Sequence, residues 1–236
     1  LALLSTGKPR GLVRISMPTV LGEKVLAHQM EAFRAEYPEI QLQIDLSSKN
    51  AHLVEEGIDI ALRFGELGDS TLRAQRIATI YRKVYASKDY IKRYGRPETP
   101  EDLVNHQTLA FSQRGAFSSW EFWDAQTGQK HPTLPIESWF TCSSPTMILQ
   151  MVRAGLGVGR SAAWMVATTG MQDELVEVLA DWKCENPKGG GVPFYFVYPP
   201  GPAASMPLKV RVVSDIIKKV FAQEFMGAMA QSIKNG

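Results

Sequence analysis

The sequence predicts an α/β protein of two lobes, each a mixed, mostly parallel sheet flanked by helices. Three observations lead there. A strand–helix–strand unit opens the chain between Gly11 and Leu46. Strand patterns then run out near Ala86, a separate series of strands and helices follows, and a further strand returns at Phe194–Tyr198. A long amphipathic helix after Pro207 closes the chain. One departure and one return imply two crossings between lobes, the organisation of a clamshell that binds a small ligand in its cleft and moves by hinge closure.

The first unit follows from periodicity. Leu12–Met17 is a β-rich run that stops at Pro18, a residue that lacks a ladder donor and suits a helix entry. From Thr19 on, Leu21, Val25, Leu26, Met30, Phe33 and Tyr37 recur at helical spacing, with charged residues on the other side. Pro38 ends that helix by pushing its predecessor out of the α region. Ile40, Leu42, Ile44 and Leu46 then alternate with polar residues, as a strand with one covered face requires. A strand, helix and strand of these lengths make a right-handed βαβ unit, and ligands on such sheets sit beyond the carboxyl ends of the strands, here Ser16–Thr19 and Ser47–Asn50.

Further on, Ser47 or Ser48 can cap a short helix over Ala51–Glu56 closed by Gly57, and Asp59–Phe64 reads as a third strand before a Gly- and acid-rich loop to Ser70. Ile77–Ser87 predicts a strand that leaves the first lobe, Asp89–Tyr94 a short helix, and Pro97–Leu103 a capped turn. Leu109–Phe111 and Ile136–Thr141 are strand candidates on either side of the aromatic stretch Trp120, Phe122, Trp123, which suits core or interface. Ser143 or Ser144 can cap a helix with Pro145 in its first turn and Met147, Ile148, Met151 and Val152 as its apolar stripe. Gly155 stops that helix and Leu156–Ser161 returns as a strand; Glu174–Asp181 reads as strand and turn. Lys188–Gly191 crosses back, and Val210, Val213, Ile217, Val220 and Phe221 line the last helix.

The runs GLVRISMPTVLG, EAFRAEYPEIQL, VEEGIDIALRFGELGDSTLRAQRI and YASKDYIKRYGRPETPEDLVNH, followed in order by MVRAGLGVG, LVEVLADW and FVYPPG, resemble the effector-binding domain of LysR-type transcriptional regulators. The resemblance covers about Gly11 to Phe225 and rests on several independent motifs. It implies a periplasmic-binding-protein type 2-like clamshell, with residues 1–10 as the tail of a linker helix, 11–86 plus 192–230 as the first lobe and 87–191 as the second. It also implies a small-molecule effector, contact with promoter DNA only through a winged-helix part preceding this domain, and assembly as a homodimer or homotetramer through the first helix and a helix of the second lobe.

Composition excludes several alternatives. A chain of 236 residues, 44% hydrophobic and 21% charged, can bury a sizeable core, and a net charge of +2 with no basic cluster gives no nucleic-acid surface. Cys142 and Cys184 form neither a disulfide framework nor a metal-ligand spacing, so reduced cytoplasmic thiols are expected, with no metal and no cofactor. No apolar run approaches the ~20 residues a membrane span needs. The Gly155–Gly159 run is no nucleotide fingerprint, because it follows a helix and opens a strand. His28, His52, His106 and His131 form no paired motif, no nucleophile elbow is present, and no catalytic residues are assigned.

Binding chemistry concentrates at helix starts. Thr19, Ser47 and Ser144 each open a helix, where free N–H groups and the helix dipole suit a carboxylate or phosphate; each is equally well read as a plain N-cap. The resemblance places Ser16, Met17, Thr19, Ser47, Arg63, Phe64, Ser143 and Ser144 along the effector cleft. Arg63 has two readings, a carboxylate clamp or a strand-end salt bridge. Arg160 stands, with Ser161 and Ala162, where the family commonly has apolar residues and a proline; it selects an acidic effector or faces solvent. Ser48 and His52 stand where relatives often have aspartate. The expected role is that of an effector sensor rather than an enzyme, the alternative being a transport-associated solute receptor of the same clamshell class.

Overall fold

The computed structural model describes residues 7–47, 53–67, 71–112, 120–132, 137–185 and 191–234, without the side chains of residues 204 and 224–234. Strand β1 (Gly11–Met17) leads into helix α1 (Thr19–Leu21), a π turn over Gly22–Leu26, a 3-10 turn over Ala27–Gln29 and α2 (Met30–Glu36). The expected single helix is thus one continuous run that changes its winding. Its buried residues give the reason: Val20 and Val25, and Leu21 and Leu26, are five apart, and a π turn keeps such pairs on one face. Strands β2 (Ile40–Leu46) and β3 (Ile60–Phe64) follow as expected. Of the short helix expected at 51–56, the described part, from Leu53, is a turn closed by Ile58 N–H donating to Leu53 O at 2.8 Å; Ser48 and His52 lie outside the described residues.

The strand expected over 77–87 is two strands, β4 (Arg73–Ile80) and β5 (Arg82–Ser87), separated by Tyr81. They belong to different sheets, so no single continuous strand could serve both. After them come α3 (Lys88–Tyr94), a 3-10 turn over Pro100–Asn105, β6 (Thr108–Phe111), β7 (Trp123–Asp124), β8 (Phe140–Cys142), α4 (Pro145–Arg153) and β9 (Val158–Ala162). Then follow α5 (Ala163–Thr168), β10 (Leu175–Val178), β11 (Trp182–Lys183), β12 (Val192–Tyr198) and the long α6 (Leu208–Lys234). No start signal marks α5, whose N-cap is Ala162 without a side-chain acceptor. Residues 133–136 and 186–190, parts of an expected strand and crossing, lie outside the described residues, as do residues 1–6 of the expected linker tail.

The chain divides into two compact units, Leu1–Thr79 with Val192–Gly227 and Ile80–Gly191 with Ala228–Gly236. Residues 80–86, given to the first lobe from sequence, lie in the second unit. In the first unit the sheet order is β2-β1-β3-β12-β4; β1 runs parallel to β2 and β3, and β12 returns antiparallel to β3. Val13, Ile15 and Met17 of β1, Ile60 and Leu62 of β3, Phe194 and Phe196 of β12 and the expected apolar stripe of α6 are all buried. Phe194 packs its ring against Phe64 (4.6 Å between centroids), Phe221 (5.8 Å) and Phe196 (6.4 Å).

In the second unit the order is β10-β5-β9-β6-β8, with a small ribbon of β11 and β7. Strand β6 is parallel to β8 and β9, whereas β5 is antiparallel to β9 and β10, so this sheet is evenly mixed rather than mostly parallel. Helix α4 starts at Pro145 and is stopped at Gly155, as its sequence predicts. Its buried stripe is Ile148, Leu149 and Val152, while Met147 is 43% exposed, a rotation from the expected face. Gly159 of β9 lies against this stripe: a Cβ there would stand 2.7 Å from Val152 Cγ2 and 3.2 Å from Ile148 Cγ2. Gly159→Val is expected to destabilise the protein by about 1–3 kcal/mol, because neither short buried side chain can withdraw. Thermal unfolding by circular dichroism would show the drop; an unchanged midpoint would mean that the helix does not press on the strand.

Candidate functional site

Parallel pairing sets the ends of β1 and β2 side by side and next to the start of β3, since Ser16 is in register with both Asp45 of β2 and Ala61 of β3. Arg63, two residues further along β3, reaches back over this edge. Its Nη1 donates to Ser16 O at 3.1 Å and to Leu62 O at 2.8 Å, and its Nη2 donates to Ser16 Oγ at 2.8 Å. The guanidinium therefore grips Ser16 end-on, through backbone and hydroxyl together. Both residues are buried.

Arg63 is a buried side chain rather than an exposed one. No ion pair reaches it among the described residues. Burial pulls its pKa down, while the charges of Asp45 and Glu56 work in the opposite sense. An arginine remains protonated under such conditions, so the corner holds a buried positive charge balanced only at a distance. Three of its five N–H groups are used, all on neutral oxygens. The Nε–H and the second Nη2–H, the side-on pair that matches a carboxylate, have no protein acceptor among the described residues.

The other expected residues of this corner have distinct positions. Thr19 is exposed, and its Oγ1 donates to Leu46 O at 3.4 Å, tying the helix start to the end of β2. Ser47 follows β2 directly and is half-buried. Phe64 stacks on Phe194 beside Arg63. Met17 is fully buried with Val13 and Ile15, a core side chain. Asp45 was missed from sequence: its carboxylate lies 3.5 Å from Ser16 Oγ and favours the charge on Arg63. The parallel register was the signal that could have found it, since equal counting from Gly11 and Ile40 sets Ser16 opposite Asp45.

In the second unit Ser144 caps α4 in the expected way, its Oγ accepting from Met147 N at 3.3 Å and meeting Thr146 Oγ1 at 3.0 Å. Ser143 beside it is exposed. Arg160 is not at this corner's helix start and does not face solvent freely; its guanidinium lies over the Trp120 ring, 4.9 Å from the centroid. Burial and the neighbouring Arg82 lower its pKa to about 10, opposed by Cys184, Glu185 and Glu121. Arg82 is itself paired with Glu185. Burial pushes the Cys184 thiol up to about 12, leaving it protonated and inert. Arg160 thus closes the aromatic core that sequence reading assigned to Trp120 and Phe122, a cation–π contact worth about 0.5–2 kcal/mol.

Two histidines, His106 and His131, have structural partners. His106 Nδ1 lies 3.1 Å from Tyr90 Oη, which accepts from Gln107 N at 3.0 Å, and burial lowers the His106 pKa. The shared Tyr90 hydroxyl therefore donates to an imidazole that accepts. His131 meets Glu101 Oε1 at 2.6 Å and Pro132 O at 2.8 Å. Among the described residues no three His, Cys, Asp or Glu side chains gather as a metal would require. No helix among them is long and apolar enough to cross a membrane.

Residues 6–222 match the LysR substrate binding domain family. The chain is 32% identical over 221 residues to the HTH-type transcriptional regulator CrgA of Neisseria meningitidis serogroup C, covering 93% of this chain and 70% of that protein. It is 32% identical over 210 residues to an HTH-type transcriptional regulator of Xanthomonas campestris pv. campestris, covering 89% of this chain and 59% of that one. The regulatory domain of Neisseria meningitidis CrgA superposes with a TM-score of 0.72 at 28% identity, covering 89% of this chain and 98% of that domain. These relatives are transcriptional regulators, and nothing among them supports a transport-associated receptor. The chain belongs to the LysR family of transcriptional regulators, of which it carries the effector-binding, or substrate-binding, domain.

Proposed function

We propose that this domain senses a small metabolite bearing a carboxylate, held at the Ser16–Arg63 corner with Thr19 and Ser47 as further polar contacts. The observation that supports it is the side-on pair of N–H groups on buried Arg63, for which the described residues supply neither an acceptor nor a carboxylate. Ser143 and Ser144 are further effector contacts that the LysR resemblance implies. The domain does no chemistry on its effector; binding shifts a pre-existing equilibrium of arrangements by differential affinity. The full-length protein reads promoter DNA in the cytoplasm through an amino-terminal winged-helix part, as a homodimer or homotetramer.

A thermal-shift screen of small organic acids, each paired with its neutral amide, tests this. A ligand at 100 times its Kd stabilises the folded form by about 2.7 kcal/mol, a readily measured rise in midpoint. At least one acid is expected to raise the midpoint while its amide does not. Amides that stabilise as well as acids, or a complete absence of acid binders, would overturn the reading.

A further inference from the structure

We infer that the first unit carries a second ligand pocket, for a small free α-amino acid with an apolar side chain, beside the amino end of β3, whereas Arg63 stands toward the carboxyl end of that strand. Ser16 and Arg63 lie toward the carboxyl ends of β1 and β3. Asp59 lies just before β3, and the antiparallel pairing of Ala61 with Val197 brings the chain beyond Tyr198 alongside it. There a cavity of about 140 Å³ is lined by Asp59, Arg73, Tyr198, Met206, Val210 and the loop Pro199–Pro202.

Its chemistry is divided in a way that fits a zwitterion. The loop Pro199-Pro200-Gly201-Pro202 is mostly proline and has a single N–H; Gly201 O accepts from Arg73 and Pro202 O from Ser205 N and Oγ at 3.0 and 2.8 Å, so the carbonyls of Pro199 and Pro200 are the acceptors left among the described residues. Asp59 adds a carboxylate: one oxygen accepts from Arg14 N at 2.8 Å, and the other has no protein donor among the described residues. Acceptors on this side suit an ammonium group. The strong donor is Arg73, held in place over the Tyr198 ring at 4.8 Å and by Nη1 donating to Gly201 O at 3.3 Å. A guanidinium so anchored keeps N–H groups for a carboxylate. Met206 and Val210 supply the apolar wall for a short side chain. An isolated carboxylate would meet Asp59, and an isolated amine would meet Arg73; a molecule carrying both charges satisfies both.

Isothermal titration of the whole chain with L-alanine, L-valine, L-leucine and L-proline tests the pocket, with isovalerate and isobutylamine as the deaminated and decarboxylated forms of valine. Saturable binding of at least one amino acid is expected, at least tenfold tighter than either analogue. Asp59→Asn, which keeps an oxygen for the Arg14 amide, and Arg73→Gln should each weaken it at least tenfold, while Arg63→Met leaves it unchanged. Should Arg73→Gln lose its thermal transition, Asp59→Asn and the two analogues decide alone. No saturable heat with any amino acid, equal binding of the analogues, or full affinity in Asp59→Asn overturns the proposal. Loss in Arg63→Met alone would move the binding to the effector corner and overturn it too.

Discussion

Arg63→Met is expected to weaken the carboxylate effector at least thirtyfold while leaving a folded domain. Truncating one partner of a buried, hydrogen-bonded charge pair costs about 2–5 kcal/mol in binding, and each 1.4 kcal/mol is tenfold. The folded state without ligand pays less. Ser16 O, Ser16 Oγ and Leu62 O lose three donors, each bond worth about 0.5–1.5 kcal/mol, but a buried charge with no ion pair among the described residues is also removed from the interior. Methionine has room in the same volume, so the two effects largely offset. Arg63→Lys should fall between, since an ammonium keeps the charge and loses the planar fork. Titration calorimetry with the acid found in the screen, beside a thermal melt of each variant, separates binding from folding. Undiminished affinity in Arg63→Met would remove Arg63 from the site.

Phe194→Ala should have the largest effect on stability, about 3–5 kcal/mol. Its ring is fully buried and touches those of Phe64, Phe196 and Phe221, so truncation opens a void bounded by three aromatic walls. For a chain of this size that is roughly 6–20 °C in melting temperature, at about 2–4 °C per kcal/mol. Because Phe64 stacks on Phe194 directly after Arg63, effector affinity should decline as well, whereas Phe194→Leu should retain most of both. A melting temperature within a degree or two of the parent would show that these rings do not form the packing centre of the unit.

Periodicity and proline placement made the first unit readable. The alternation Ile40–Leu46 and the stop at Pro18 marked both strands and the helix between them, and the buried stripe of α6 fell on the five expected residues. What escaped was set by partners distant in sequence. The split at Tyr81 depends on which sheet each half joins, and a run of half-apolar residues carries no record of that. The close approach of α4 to β9 depends on Gly159, six residues beyond the helix, whose bare backbone lies against Ile148 and Val152. Arg63 was visible as a strand-end charge, but its grip on Ser16 needs the register of β1 against β3. The contact of Arg160 with Trp120 was not legible, because Trp120 lies in a stretch whose pairing no local pattern indicates.

The sheet order of the first unit bears on how the protein is made. Strand β3 sits between β1 and β12, yet β12 leaves the ribosome only after residues 65–191 have been synthesised. Through that interval a nascent chain can assemble β2, β1 and β3 but must leave the apolar flank of β3 bare, a template for stray pairing. Slow translation across the middle of the gene would lengthen the exposure, and chaperone demand should peak before Val192 emerges and fall once β12 and α6 seal the edge.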